Sequence, residues 1–196
     1  MKELFYAHDF KEWVESITDR PYELQKNDPR IVTPFYSREK ILVAFQGRAL
    51  GDSKLRYITI KLNEDAPKIF GLDKWNPKKK TYVVEGPFDS MFLPNCLAMA
   101  GVDAFVNNRH DIYEDFMDSD ATYIFDNEPR NKEIIKRMNS AIEKGFNVCI
   151  WPDGLEKDLN DMVMAGRNVN QILEIINRNT YHGLSAKMKM TNWKRM

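Results

Sequence analysis

Apolar and polar positions follow two different patterns along this chain, and the change between them falls near residue 77. In the first part, residues 9–17 carry apolar side chains at helical spacing behind a candidate N-cap, Asp9. Three β-rich runs follow, at residues 31–36, 41–50 and 55–62. Because the short polar segment 37–40 joins the first two runs, we predict an antiparallel meander.

Beyond the lysine-rich segment 76–80, short apolar runs alternate with amphipathic segments. We predict strands at residues 81–85, 96–101, 121–126 and 146–151. We predict helices at residues 87–93, 111–117, 131–145, 159–166 and 168–179, followed by a basic tail. Alternating strands and helices predict a parallel sheet, whose ligands bind beyond the carboxyl ends of its strands.

Carboxylates stand at three of these four strand ends. Glu85 closes the first strand, Asp126 and Glu128 follow the third, and Asp158 and Asp161 come soon after the fourth. Acids gathered at one sheet edge repel one another, so a hard divalent cation such as Mg²⁺ is their natural partner. The pattern therefore predicts a metal site.

Each acid also has a purely structural interpretation. Asp126 is a candidate cap of the following helix, and Asp158 and Asp161 fit the solvated first turn of another. Asp89, one helical turn after Glu85, fits an ordinary exposed helix acid. Three acidic strand ends on one edge nevertheless favour the metal site over the separate interpretations.

Composition limits the class of protein. The chain has 196 residues, and its 43% hydrophobic content is enough for a core of one domain or two small ones. Cys96 and Cys149 are its two cysteines, which excludes a disulfide framework or a zinc module within the chain and favours a reducing cytoplasm. No apolar run approaches the roughly 18 residues that span a membrane.

The net charge is zero, with 29 basic and 29 acidic residues, which by itself argues against a nucleic-acid protein. The charges are unevenly placed, however. Residues 30–61 contain seven basic and two acidic side chains, whereas residues 101–128 contain one basic and eight acidic ones. Solvated faces explain such runs, and so does a polyanion-binding surface beside an acidic metal site.

Three sequence elements carry a family resemblance. Glu85-Gly-Pro-Phe-Asp89, Asp126-x-Glu128 and Lys157-Asp-x-x-Asp161 resemble the signature of the Toprim domain, which bacterial-type primases, topoisomerases and some nucleases share. An ordered set of phrases over nearly the whole chain resembles the catalytic half of the T-even-type phage primases. The set comprises AFQGRAL (44–50), YITI (57–60), VVEGPFDSMF (83–92), FDNEPR (125–130), IKRM (135–138), KDLNDM (157–162) and GLSAKMKM (183–190).

The resemblance implies an α/β fold with a Rossmann-like parallel Toprim sheet flanked by helices. It would cover residues 78–166, after an N-terminal antiparallel β/α basic subdomain at 1–77 and before a C-terminal helical segment and basic tail at 167–196. Many Toprim proteins have a second Asp where this chain has Glu128, a feature that the phage primases share.

The resemblance also implies roles for particular residues. Glu85, Asp126 and Glu128 would be the catalytic acids that hold two Mg²⁺ ions, with Mn²⁺ as an alternative, and Asp89, Asp158 and Asp161 would support them. The residues facing template or nucleotide would be Gln46, Gly47, Arg48, Lys54, Arg56 and Lys157. No zinc is expected in this chain.

The expected activity is RNA primer synthesis on single-stranded DNA from ribonucleoside triphosphates in the host cytoplasm. A replicative hexameric helicase is an expected partner, and a membrane is not. Primases of this type carry a zinc-binding module, so either this chain is a fragment, or the module lies on another chain, or initiation differs. The alternatives are a Toprim nuclease and a non-catalytic helicase-docking module; a topoisomerase fits less well, because the chain has little room for a strand-passage domain.

Overall fold

A computed structural model describes residues 4–99, 116 and 119–194. The chain forms two compact units, Met1–Asp73 and Lys74–Met196. A 3₁₀ turn, Leu72–Lys74, spans the boundary between them. None of the helices in the described ranges is long and apolar enough to cross a membrane.

The first unit contains an antiparallel sheet with the strand order β1-β2-β3-β4. Its strands are β1 (Phe5–Ala7), β2 (Arg30–Tyr36), β3 (Leu42–Ala49) and β4 (Tyr57–Lys61), and a short strand, β5 (Ile69–Phe70), follows. The register pairs Val32 with Gly47 and Arg48 with Tyr57. The predicted meander is confirmed.

One helix, α1 (Phe10–Thr18), packs its apolar face on this sheet. The side chain of Asp9 accepts a hydrogen bond from the backbone N–H of Glu12, which confirms the predicted cap. Phe10 and Val14 are buried in one cluster with Val32 and Phe45. The helix is therefore held by the burial of its apolar stripe.

The second unit is built on a sheet with the strand order β10-β9-β8-β6-β7. These strands are β6 (Thr81–Val84), β7 (Cys96–Met99), β8 (Ala121–Ile124), β9 (Asn147–Cys149) and β10 (Thr180–Tyr181). β6 pairs in parallel with β7 and β8, and β8 pairs in parallel with β9. The predicted parallel sheet is confirmed, and the carboxyl ends of β6, β8 and β9 share one edge.

Four further helices are described in this unit. They are α2 (Lys132–Glu143), α3 (Leu159–Met164), α4 (Val169–Arg178) and α5 (Gly183–Trp193). Asn131 caps α2, so Asp126 is not its cap, and Gly145 leaves the helix at a φ of 84°. The prediction of a helix within residues 131–145 is confirmed.

One predicted helix is wrong, and another lies almost wholly outside the described residues. The predicted helix at 87–93 is wrong: it is only a 3₁₀ turn, Asp89–Met91, because Ser90 folds back onto Gly86 and Pro87 and Pro94 soon follows. The predicted helix at 111–117 lies outside the described residues, except for Phe116. In the C-terminal segment, the structure adds the helix α5 and the strand β10, which pairs antiparallel with β9; neither element was assigned from the sequence pattern.

Candidate metal centre

A small cleft opens at the carboxyl edge of the second unit's sheet. Four carboxyl side chains line it, and they are Glu85, Asp89, Asp126 and Asp158. Val84, Ile124 and Trp151 form its apolar wall. The structure therefore brings together four of the six predicted metal-site acids.

Glu85 follows β6 directly, so the strand fixes its backbone at the mouth of the cleft. Burial, with a smaller contribution from the charge of Asp126, raises the pKa of Glu85 from 4.5 to about 7. Its Oε1 is buried and accepts no hydrogen bond. Arg137 Nη1 lies 3.5 Å away as an ion-pair partner. The ionised form of Glu85 is thus poorly compensated.

Asp126 lies two residues beyond β8. Burial and the nearby charge of Asp158 raise its pKa from 3.8 to about 6, against the opposing effect of Lys157. Additional positive charge allows two carboxyl groups with raised pKa values to ionise together at a lower pH. A divalent cation supplies such charge, so the donor set fits Mg²⁺ or Mn²⁺.

Glu128 stands at the rim next to this pair. Its Oε1 lies 3.4 Å from Nζ of Lys157, and its Oε2 accepts a hydrogen bond from Asn131 at 3.1 Å. Its charge contributes to the raised pKa of both Glu85 and Asp126. Among the described residues, no three His, Cys, Asp or Glu side chains already form a ready-made ion cage. Ion binding here requires side chains to turn inward.

The remaining acids are partly engaged in fixing the backbone. Asp89 Oδ1 accepts a hydrogen bond from the backbone N–H of Asn160 at 3.0 Å, which ties the 3₁₀ turn to α3. Asp158 is the N-cap of α3, with its Oδ1 accepting from the N–H of Asp161 at 2.8 Å. Asp161 is exposed and does not line the cleft, although its charge raises the pKa of Asp126.

Asn127, between the two acids, is a residue that the sequence did not single out. Its Nδ2 donates to the carbonyls of Leu155 and Glu156 at 3.2 and 3.3 Å, and its backbone N–H donates to Lys157 O at 2.6 Å. These bonds hold the loop before α3 against the end of β8. They place Lys157 beside Glu128 and start α3 at Asp158.

Arg137 was also missed. It lies on α2 between Glu85 and Glu133, with Nη1 3.5 Å from one carboxylate and Nε 3.6 Å from the other. The one available signal was the spacing of four residues between Glu133 and Arg137, which indicates a helix-surface pair. This spacing gave no indication that Arg137 also pairs with Glu85.

The basic candidates of the first unit are Arg48 on β3 and Lys54 and Arg56 in the loop before β4. The guanidinium groups of Arg48 and Arg56 lie 5.9 and 5.7 Å from the ring centre of Tyr57, whose side chain is exposed. Lys54 is exposed in the same loop. Two cations around an exposed aromatic ring form a surface suited to phosphates and bases.

Gln46 and Gly47 have internal contacts. Gln46 is only 8% exposed and donates to Thr59 Oγ1 at 3.1 Å. A Cβ on Gly47 would lie 2.6 Å from Phe10 Cε2 and 2.9 Å from Arg30 Cδ. Both residues therefore have structural roles, and their predicted contact with template or nucleotide stays a prediction.

The side chain of Arg30 occupies part of the space beside Gly47. Its side chain is fully buried and pairs with Asp28 at 2.7 Å. The same guanidinium donates to Gly47 O, Ser53 Oγ and Leu55 O at 3.0, 2.9 and 2.8 Å. Arg30 thus holds the loop that carries Lys54.

No protein-family model matches this chain. The DNA primase of Enterobacteria phage T4 is 33% identical over 205 residues, covering all of this chain and 56% of that protein. The resemblance to T-even-type phage primases is confirmed. The chain spans about half the length of this relative.

Solved primase structures share the fold. The Aquifex aeolicus primase, with zinc-binding and RNA polymerase domains, aligns with a TM-score of 0.65 and 19% identity over 91% of this chain and 51% of that one. The E. coli primase catalytic core gives 0.61 and 18%, over 83% and 55% of the two chains. The primase fragment of the bacteriophage T7 primase-helicase gives 0.57 and 18%, over 76% and 63%. At these identities the likeness shows the mixed α/β fold of primase catalytic cores.

Proposed function

We propose that this chain is the catalytic part of a phage DNA primase that synthesises short RNA primers on single-stranded DNA. The observation that carries the proposal is the carboxyl cluster at the ends of β6 and β8, in a chain similar to T4 primase throughout its length. The proposed reaction is Mg²⁺-dependent nucleotidyl transfer. Glu85, Asp126 and Glu128 are the proposed catalytic acids.

The same acids would hold the metal. Glu85, Asp126 and Glu128 would be the principal ligands of two Mg²⁺ ions, or of Mn²⁺, and Asp89, Asp158 and Asp161 would support them. Bound there, the ions would supply positive charge for the attacking hydroxyl and for the phosphates of the incoming nucleotide. The buried Oε1 of Glu85, which accepts no hydrogen bond, supports this assignment.

Lys157 would contact the phosphates of the nucleotide. Its side chain is half exposed at the rim, and it is held there by the backbone bond to Asn127. Burial acts to lower its pKa, but the charges of Glu128 and Asp126 together raise it, so Lys157 stays cationic. The apolar wall formed by Val84, Ile124 and Trp151 would limit the access of water to the cleft.

The template would be bound by the first unit. Arg48, Lys54 and Arg56 would hold its phosphates, with Gln46 and Gly47 shaping the strand beneath them. Binding through phosphates weakens as the salt concentration rises, because counterions released from the nucleic acid drive it.

Partners follow from the same assignment. The substrates would be ribonucleoside triphosphates and single-stranded DNA in the host cytoplasm. A replicative hexameric helicase is a proposed partner, since one structural relative is part of a primase-helicase protein. A zinc-binding module on another chain or segment would assist initiation, as the Aquifex relative combines both domains.

The test is a primer-synthesis assay with single-stranded DNA, all four ribonucleoside triphosphates and Mg²⁺. We expect short RNA products from the native chain and none from Glu85→Gln. Glu174→Gln is the matched control, because Glu174 is an exposed acid on α4 that forms an ion pair with Arg178 on the helix surface. It should retain the activity.

Two outcomes would contradict the proposal. Cleavage of DNA or RNA that Glu85→Gln abolishes, without primer synthesis, would support a Toprim nuclease. Neither activity, even with a zinc-binding module added, would support a non-catalytic docking module.

A further inference from the structure

Arg137 lies on α2 and forms an ion pair with Glu85 of the candidate metal centre. α2 is anchored by buried Ile134, Met138 and Ile142 and by its Asn131 cap, so the Cα of Arg137 has a fixed position. The side chain is 29% exposed and reaches Glu85 at 3.5 Å. A cation supplied by the protein itself thus stands beside a principal candidate metal ligand.

The contact between Arg137 and Glu85 is a long ion pair, with Nη1 3.5 Å from Oε1. Glu85 Oε1 and Arg137 Nε are both buried, and neither has a hydrogen-bond partner. A well-made arginine–carboxylate pair is bidentate, with N–O distances of about 2.7–2.9 Å. This pair compensates charge while leaving the carboxylate oxygen available to a better partner.

We propose that Arg137 is an internal counter-ion of Glu85 that competes with the divalent cation for this carboxylate. Without an ion, Arg137 stabilises the ionised Glu85. When an ion binds, it displaces the guanidinium from the oxygen. Arg137 is therefore a positioning residue that lowers the intrinsic affinity of the centre for metal. The inference depends on the proposed function only in taking a divalent cation as the ligand of Glu85.

Glu133 provides a second place for the displaced guanidinium. Its Oε1 lies 3.6 Å from Nε of Arg137, and Glu133 precedes Arg137 by one helical turn on α2. The side chain of Arg137 is thus shared between two carboxylates. A change in the attraction between Arg137 and Glu133 should therefore change how strongly Arg137 competes with the ion for Glu85.

The direct test is Mn²⁺ binding measured by titration calorimetry on the full chain, without nucleotide or DNA. Removing the guanidinium deletes a competing cation beside Glu85 and leaves the carboxylate to the ion. We therefore expect Arg137→Met to lower the Kd for Mn²⁺ about tenfold. Arg137→Lys, which keeps the charge, should stay near the native Kd.

Glu133→Gln tests the sharing. It should raise the Kd for Mn²⁺, because Arg137 then has only Glu85 as a partner. In the double variant with Arg137→Met this effect should vanish, whereas a general loss of negative charge would persist. Arg178→Met and Glu174→Gln form the matched control pair, since they have the same spacing on α4 away from the cleft. They should leave the Kd unchanged.

Several results would overturn the inference. An unchanged or weaker Kd in Arg137→Met would mean that Arg137 is purely structural or itself assists ion binding. The absence of Mn²⁺ binding in both the native protein and Arg137→Met would also count against it. If thermal unfolding shows that Arg137→Met does not fold, Arg137→Gln replaces it with the same expected direction. A failure here leaves the primer-synthesis test intact, because no nucleotide is present.

Discussion

The indole Nε1 of Trp193 donates a hydrogen bond to Oδ1 of Asn127 at 3.1 Å. Trp193 closes α5, and Asn127 lies between Asp126 and Glu128. Both polar atoms of the Asn127 amide therefore form hydrogen bonds: Oδ1 accepts from Trp193, and Nδ2 donates to the loop before α3. The acids of the β8 end are thus positioned by segments that are distant in the sequence.

We expect Asn127→Ala to lower the free energy of unfolding by about 1–3 kcal/mol, because it leaves the Trp193 donor and two loop carbonyls without this partner. It should also weaken Mn²⁺ binding, since the loop that carries Lys157 and Asp158 loses its attachment. Urea denaturation and calorimetry measure the two effects. Trp193→Phe, which removes one bond, is the graded control and should cost about 0.5–1.5 kcal/mol. Native values for Asn127→Ala would contradict the assigned role.

The raised pKa values of Glu85 and Asp126 predict how stability depends on pH. Both groups bind protons more tightly in the folded chain, so they favour folding at low pH. Their contribution is lost as pH rises from the ordinary carboxyl range through about 6 and 7. In the presence of a metal chelator, these two groups should therefore make the native chain less stable at about pH 8 than at about pH 5.

Glu85→Gln isolates this effect, because an amide does not titrate. Its free energy of unfolding should fall less between the two pH values than that of the native chain, as measured by urea denaturation. Added Mg²⁺ should stabilise the native chain more at the higher pH, where the carboxylates are ionised. Identical pH profiles for the two proteins would refute the raised pKa of Glu85.

Much of the fold was predictable because its strands are local apolar runs. Residues 81–85 and 121–126 became β6 and β8, which pair in parallel as predicted. α5 was not predicted, because its apolar residues lie on more than one side of the helix: Leu184 and Met188 are exposed, whereas Ala186, Met190 and Trp193 are buried. β10, only two residues long, depends on its tertiary pairing with β9.

The candidate site was predictable in its acids and not in what surrounds them. Acidic residues after strands are visible in a sequence, since the end of a strand fixes their place. The role of Asn127 depends on loop 155–157 and on Trp193, which lies 66 residues away. The role of Arg137 depends on how α2 passes β6, which helical periodicity alone does not specify.

The group formed by Arg48, Arg56 and Tyr57 predicts how single-stranded DNA binds. Arg48→Met and Arg56→Met should each weaken binding and reduce the salt slope by about one. Tyr57→Leu should weaken binding by about 1–3 kcal/mol with little change in salt slope, because base stacking is lost and phosphate contacts remain. Fluorescence anisotropy at several salt concentrations separates the two effects.

Two controls sharpen this experiment. Arg20→Met removes an exposed arginine of the same unit and should leave affinity and slope unchanged. An abasic oligonucleotide should bind native protein and Tyr57→Leu equally. If Tyr57→Leu lost as much affinity for the abasic strand as for the normal one, stacking would not be its role.

Gly47 provides the final prediction, because the space for a side chain there is already filled. A Cβ would lie 2.6 Å from the ring of Phe10 and 2.9 Å from Cδ of Arg30, so Gly47→Ala must move a buried aromatic ring or the buried guanidinium stem. Overpacking of this kind costs about 1–3 kcal/mol.

Gly51→Ala is the matched control, since a Cβ there meets nothing within 4 Å, and its effect should stay within about 0.5 kcal/mol. Because Arg30 also holds Ser53 and Leu55, Gly47→Ala should weaken binding of single-stranded DNA indirectly. Equal stability of the two alanine variants would show that Gly47 is not required by packing, and would leave direct contact with the template as the reason for a glycine at this position.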